Sequence, residues 1–157
     1  SKVSDVSQRI RDEIEGKNIP KKEVNLRNLR LSASHNTKNV YLAVDASKKT
    51  FWSSNVPYYL SQFFEVDLGR LREIVQIQID SFNNVNQNEV GYSLEFSKNG
   101  NVWEEVFRDL RRIPDKNGIV EMYLFPKSTR FVRIQQIGYH KYASWVIHEL
   151  KIYEVKD

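Results

Sequence analysis

Cysteine is absent from this 157-residue chain. That excludes a disulfide framework, a cysteine-ligated zinc centre and thiol nucleophilic chemistry. Glycine and proline are scarce, six and four residues, so the turns must rest partly on Asn, Asp and Ser. No apolar run reaches the length of a membrane-spanning helix. No dense run of one charge occurs either: the net charge is only +4, and Lys and Arg are scattered. This argues against an electrostatically driven tail and against nucleic acid as the partner. The three histidines, His35, His140 and His148, show no metal-type pairing, and no Gly-x-Ser-x-Gly motif is found, so no catalytic residue is assigned and an enzyme is not expected.

What the chain does have is aromatic residues and alternation. Aromatics make up 12% and hydrophobic residues 40%, enough for one folded domain with a real core. Residues 1–25 differ from the rest. Val3, Val6, Ile10 and Ile14 fall three, four and four apart, which predicts one apolar helical face; Gly16 takes the position of a C-terminal cap and Pro20 lies just beyond. A linker through Lys21-Lys22 then leads to a domain over 26–157.

From Leu26 the period becomes two. Phe64, Val66 and Leu68 alternate with polar neighbours, as do Val75, Ile77 and Ile79; Tyr92, Leu94 and Phe96; Val120, Met122 and Leu124; Val132 and Ile134; and Leu150 and Ile152. Each segment wets one face and buries the other. Asn99-Gly100 predicts a hairpin turn. Short strands without interleaved helices predict an all-β fold, an antiparallel β-sandwich. His148, in phase with Leu150, is expected in the core, and so are Trp52, Trp103, Phe64 and Phe96. Asp67 is expected to organise a turn before Gly69.

Asp45-x-Ser47-x-x-Thr50 is a compact loop rich in oxygen donors. Spacing alone leaves two readings open: an Asx-turn in which Asp45 caps its own backbone, or, with Glu149 as a second carboxylate, a site for a hard cation.

The run Ala43-Val-Asp45-Ala-Ser47-Lys-Lys-Thr50-Phe-Trp52 resembles the Ala-x-Asp-Gly-Asn-x-x-Thr-x-Trp segment of discoidin-type (coagulation-factor type C) domains. These are galactose-binding-domain-like modules that include the family 32 carbohydrate-binding modules. Phe63-Phe-Glu-Val-Asp-Leu-Gly69, Tyr92 to Trp103, Arg130-Phe-Val-Arg-Ile134 and Ile147-His-Glu-Leu-Lys-Ile-Tyr153 resemble the family's later segments in the same order. The resemblance covers about residues 29–155. It implies a jelly-roll-like sandwich and a structural Ca2+ held by Leu42 (backbone), Asp45, Ser47, Thr50 and Glu149. Ala46 and Ser47 stand where the family pattern has Gly and Asn.

The resemblance also implies that a ligand sits on loops at one end of the sandwich. Amides suit sugar hydroxyls and a flat ring suits the apolar face of a pyranose. The candidates are Asn83, Asn84, Asn86 and Gln87; Arg111 and Asn117; and Tyr139, His140, Tyr142 and Trp145. In membrane-binding members the equivalent loops carry exposed apolar spikes, and Tyr58, Tyr59 and Leu60 are placed to be such spikes, although lipid is not the preferred partner. The expectation is a non-catalytic carbohydrate-binding module, attached to a glycoside hydrolase or another enzyme. Its partner would be a galactose-type or amino-sugar glycan, with an acidic polysaccharide kept open, and the parent a bacterial extracellular or cell-surface protein in which it sits as a monomeric unit. The alternative is an adhesion or protein-interaction module of a larger surface or phage-tail protein.

Overall fold

The alternating segments form antiparallel strands in the computed structural model, which describes residues 2–58, 62–81 and 90–157. The elements are α1 (Lys2–Asn18), β1 (Lys21–Glu23), β2 (Arg30–Ala33), a 3-10 turn (Thr37–Ala43), β3 (Trp52–Pro57), β4 (Gln62–Asp80), β5 (Val90–Ser97), β6 (Glu104–Arg112), β7 (Ile119–Gln136), β8 (Ser144–Ile147) and β9 (Glu149–Val155).

The two longest strands make the sandwich. β4 and β7 pair along their length, from Gln62↔Gln136 to Asp80↔Ile119, and their register breaks between Asp67 and Arg72. At that break the ribbon folds over. One half, β4 residues 62–67 with β7 residues 131–136, carries β2 on one side and β5 then β6 on the other. The other half carries β9 and then β1. Gly69 supplies a positive φ of 80° at the fold. The Asp67 carboxylate accepts the Gly69 N–H at 2.8 Å and a two-pronged bond from Arg130, so Asp67 does organise this turn. Between the layers lie Phe64, Val66, Leu68, Ile77, Ile79, Leu94, Met122, Val132, Ile134, Leu150 and Ile152, all buried. β3 and β8 form a separate two-stranded ribbon. It drives Trp52 and Trp145 into the core, edge-on to each other at 5.3 Å, with Trp52 also edge-on to Phe64 at 5.2 Å.

Several local expectations are corrected. Lys21–Glu23 is no linker but the edge strand β1, paired with β9. Gly16 lies inside α1 rather than at its cap. A Cβ there would come 2.0 Å from the Leu124 carbonyl oxygen, so the glycine is what lets the helix lie on the backbone of β7. The helix covers the side of residues 119–127 to which no described strand pairs, a common way of shielding a sheet edge. Its inward face is polar: Glu13 pairs with Arg112 at 2.6 Å and Arg9 donates to the Arg108 carbonyl at 2.9 Å. Val6, Ile10 and Ile14 point outward, 47%, 47% and 57% exposed, opposite to what the apolar stripe predicts. The turn at Asn99-Gly100 is a six-residue connection, with Gly100 at a φ of 82°. Trp103 is half-buried on the outer face, where the Arg133 guanidinium lies 4.0 Å from its ring centre. His148 is half-buried rather than in the core and stacks on Phe51 at 5.0 Å.

Candidate functional site

Folding the β4–β7 ribbon brings both of its ends to one end of the sandwich. The Ser81 N–H donates to Gly118 at 3.0 Å, Ile137 to Gly91 at 2.8 Å, and Tyr58 to Ala143 at 3.1 Å. Those bonds gather the connections after β3, β4, β6 and β7. Gly91 lies at their meeting point: a Cβ there would come within 2.8 Å of the Leu110 carbonyl oxygen and 3.2 Å of the Gly138 nitrogen. The buried Gln136 side chain beneath accepts from the Gly138 N–H at 2.7 Å and the Gly91 N–H at 3.3 Å.

The loop 137–143 projects from this end. Its tyrosines stand out, Tyr139 at 70% and Tyr142 at 77% exposure. His140 lies between them, half-buried against Tyr58 with ring centres 5.7 Å apart. Its Nδ1 accepts the Tyr142 N–H at 3.1 Å and the Ala143 N–H at 2.7 Å. The Lys141 ammonium sits 5.5 Å from the Tyr142 ring centre. Tyr58 is 1% exposed and so is no membrane spike, and burial raises its phenol above the ordinary range; Tyr59 and Leu60 lie outside the described residues.

The structure separates the other predicted ligand residues. Trp145 is corrected outright: it is fully buried, its main-chain N–H donating to the Ser54 hydroxyl at 3.1 Å, and its ring cannot reach a ligand. Its place in a four-residue strand of the small ribbon turns the ring inward. Arg111 is not on a loop but at the end of β6, exposed, beside an open groove of about 460 Å³ shared with Asp109, Ile113 and Ile119. Asn117 belongs to the next turn, where the Asp115 carboxylate accepts its N–H at 2.8 Å; it does not line that groove. Asn83, Asn84, Asn86 and Gln87 lie outside the described residues. Sequence reasoning missed Gly91, Gln136 and the buried Gln62, whose amide donates to the Val56 and Pro57 carbonyls at 3.3 and 3.1 Å and so holds the end of β3. The one available signal was polar residues in phase with core positions: Gln62 precedes Phe64, Val66 and Leu68, and Gln136 follows Val132 and Ile134.

The oxygen-rich loop forms a second cluster. Asp45 accepts the Ser47 N–H at 3.1 Å and the Thr50 hydroxyl. This is the Asx-turn, and it exists together with the carboxylate pair rather than in place of it. Glu149 Oε1 accepts the Ala46 N–H at 3.1 Å, and Glu149 Oε2 is buried without a partner. Ala46 takes a φ of 62°, the left-handed conformation that suits the Gly of the family pattern. Burial pushes the Glu149 carboxyl up to about 7; the Ala46 N–H acts the other way, and the Asp45 charge adds to the rise. Leu42 is in the 3-10 turn three residues before Asp45. Beside this loop, Lys48 reaches the buried Asp80 carboxylate at 3.4 Å.

An orphaned carboxylate oxygen on a side chain that feels the charge of a second carboxylate fits a hard cation, which supplies the missing charge. Among the described residues no three His, Cys, Asp or Glu side chains converge, so hydroxyls and main-chain carbonyls would complete the shell. The cluster would then tie the loop before β3 to the start of β9.

Residues 19–150 match the family described as the F5/8 type C domain. The fold is similar to that of a family 32 carbohydrate-binding module of Clostridium perfringens, CpGH89CBM32-5, solved with GalNAc-β-1,3-galactose: TM-score 0.70, 18% identity, 83% of this chain and 99% of that one. It is similar to the family 32 module of C. perfringens NanJ, solved with galactose: TM-score 0.69, 20% identity, 85% and 99%. It is also similar to the module of AlyQ solved with 4,5-unsaturated mannuronic acid: TM-score 0.66, 19% identity, 83% and 97%. No curated protein sequence matches the chain.

Proposed function

Since this chain belongs to the F5/8 type C domain family, we propose that it is a non-catalytic carbohydrate-binding module of an extracellular or cell-surface protein, and that it captures its sugar on the loop 137–143. The observation that carries this reading is the exposed pair Tyr139 and Tyr142, held on a loop that is hydrogen-bonded back onto rigid strands at the end where four connections meet. Flat rings on a fixed loop offer stacking area at small entropic cost, and main-chain and Lys141 donors beside them suit hydroxyls or a carboxylate. The relatives solved with galactose, GalNAc-β-1,3-galactose and an unsaturated mannuronic acid support a sugar of the galactose, amino-sugar or uronic-acid class. A Ca2+ held by Asp45 and Glu149, with Ser47, Thr50 and the Leu42 carbonyl, would have a structural role: it would neutralise the carboxylate pair and pin the loop to β9.

The test is a glycan array spanning galactosides, amino-sugar glycans and uronic-acid polymers, run with and without a chelator. Discrete hits support sugar capture, and silence across all three classes overturns it. A second reading, a protein-interaction module, is favoured by one observation. α1 lies outside the family match and turns Val6, Ile10 and Ile14 to solvent; a silent array together with loss of a protein contact in Ile10→Asp would favour that reading.

A further inference from the structure

His140 was expected to touch the ligand, but its geometry gives it another task. Nδ1 is already taken. It lies 2.7 Å from the Ala143 nitrogen and 3.1 Å from the Tyr142 nitrogen, and both are N–H donors. A ring nitrogen that accepts two N–H groups has no hydrogen of its own, so the neutral ring carries its proton on Nε2. The side chain thereby closes a turn over residues 140–143, as an Asn or Asp side chain does when it accepts the amides two and three residues on. The main chain adds to the lock: His140 donates to the Tyr58 carbonyl at 3.3 Å and Tyr58 donates to Ala143 at 3.1 Å. The two exposed tyrosines flank this ring in sequence, and the amide of one is held by it.

We propose that His140 is a positioning residue that shapes the sugar-binding loop only in its neutral form, so that acid unlocks the loop. The sugar-binding part of this inference rests on the function proposed above; the lock itself does not. A proton on Nδ1 removes the lone pair that both amides use and sets an N–H against two N–H groups. Among the described residues the side chain packed on the ring is Tyr58, just after β3; the charged neighbour on its own loop is Lys141, whose ammonium sits by the Tyr142 ring. Of the residue types gathered here, histidine is the one whose charge ordinarily changes near neutral pH. Losing two hydrogen bonds of ordinary strength corresponds to a loss of roughly five- to a hundredfold in the population of the formed loop.

The experiment uses the full chain and needs no ligand at first. Long-range 1H–15N spectra are recorded from pH 8 to pH 5 on the native protein, His140→Asn and His140→Ala. Asn places an oxygen where Nδ1 lies and does not titrate. The expected result is a ring protonated on Nε2 alone at pH 8, Tyr142 and Ala143 amides that move together with the ring as the pH falls, amides that stay still in His140→Asn, and a loop already open at pH 8 in His140→Ala. A ring protonated on Nδ1 at pH 8, or amides that ignore the ring's titration, overturns the lock. Retention on D-galactose-agarose then tests the linkage. Retention about tenfold weaker at pH 5 than at pH 8 in the native protein, and level in His140→Asn, supports the gating. Equal retention at both pH values beside a titrating lock sinks the placement of the sugar on this loop, and no retention at any pH counts against galactose as the sugar; neither result touches the lock.

Discussion

Replacing Glu149 by Gln should make the metal-free protein more stable at pH 8. The Glu149 carboxyl is raised from 4.5 to about 7, chiefly by burial and further by the Asp45 charge, against the Ala46 N–H bond. The folded state therefore holds this proton more tightly than the unfolded chain does. The stabilisation it gives is complete below about pH 4.5 and is lost as the pH rises through about 7. Converted at about 1.4 kcal/mol per pH unit, the shift sets a ceiling of about 3.4 kcal/mol. Glu149 is only half-buried, so solvent screening brings the expected effect to about 1–2 kcal/mol. At about 2–4 °C per kcal/mol for a chain of this size, Glu149→Gln should melt several degrees above the native protein at pH 8 in chelator and level with it at pH 4. Calcium should reverse the order at pH 8, because it stabilises the native chain by mass action and finds one carboxylate fewer in the variant. Thermal unfolding at both pH values, with chelator and with calcium chloride, decides it. A variant that melts lower than the native protein at pH 8 in chelator, or equal calcium stabilisation of both chains, would refute the carboxylate-pair reasoning.

Other substitutions separate the core from the binding surface. Trp145→Ala empties a fully buried site beside Trp52 and should cost about 3–5 kcal/mol in urea unfolding; a loss below about 1 kcal/mol would show that the ring does not pack there. Tyr139→Ala combined with Tyr142→Ala removes two exposed rings and should leave stability within about 0.5 kcal/mol while abolishing glycan retention. Gly16→Ala would favour an isolated helix by about 1 kcal/mol, yet its Cβ meets the Leu124 carbonyl. α1 should therefore detach, read as faster amide exchange and proteolysis over residues 2–18.

The sandwich was legible because period-two alternation of apolar residues survives in β4, β5, β7 and β9, including the bent halves of β4 and β7; β6, with the burial of a mostly exposed edge strand, carries none. The small ribbon was not. Ser53, Ser54 and Asn55 in β3 carry no alternation, and β8 is four residues long, too short for a period to set the direction of Trp145. The helix was found but turned the wrong way round. Its orientation is fixed by a glycine against a carbonyl and by Arg9 and Glu13, contacts that a hydrophobic stripe does not encode. At the candidate site, spacing supplied Asp45 and offered Glu149 as a second carboxylate, and the family resemblance grouped both with Ser47, Thr50 and the Leu42 carbonyl. The role of His140 depends on where two main-chain amides point, which no residue pattern states. The amide-rich run Asn83, Asn84, Asn86 and Gln87 lies outside the described residues and does not enter this comparison.

The most direct test of sugar capture on the loop 137–143 is a 1H–15N shift map of the labelled chain titrated with the strongest glycan from the array. The account predicts shifts concentrated on residues 138–143 and Tyr58. Shifts confined to the groove at the other end, around Asn99, Val102 and Thr129, would contradict it.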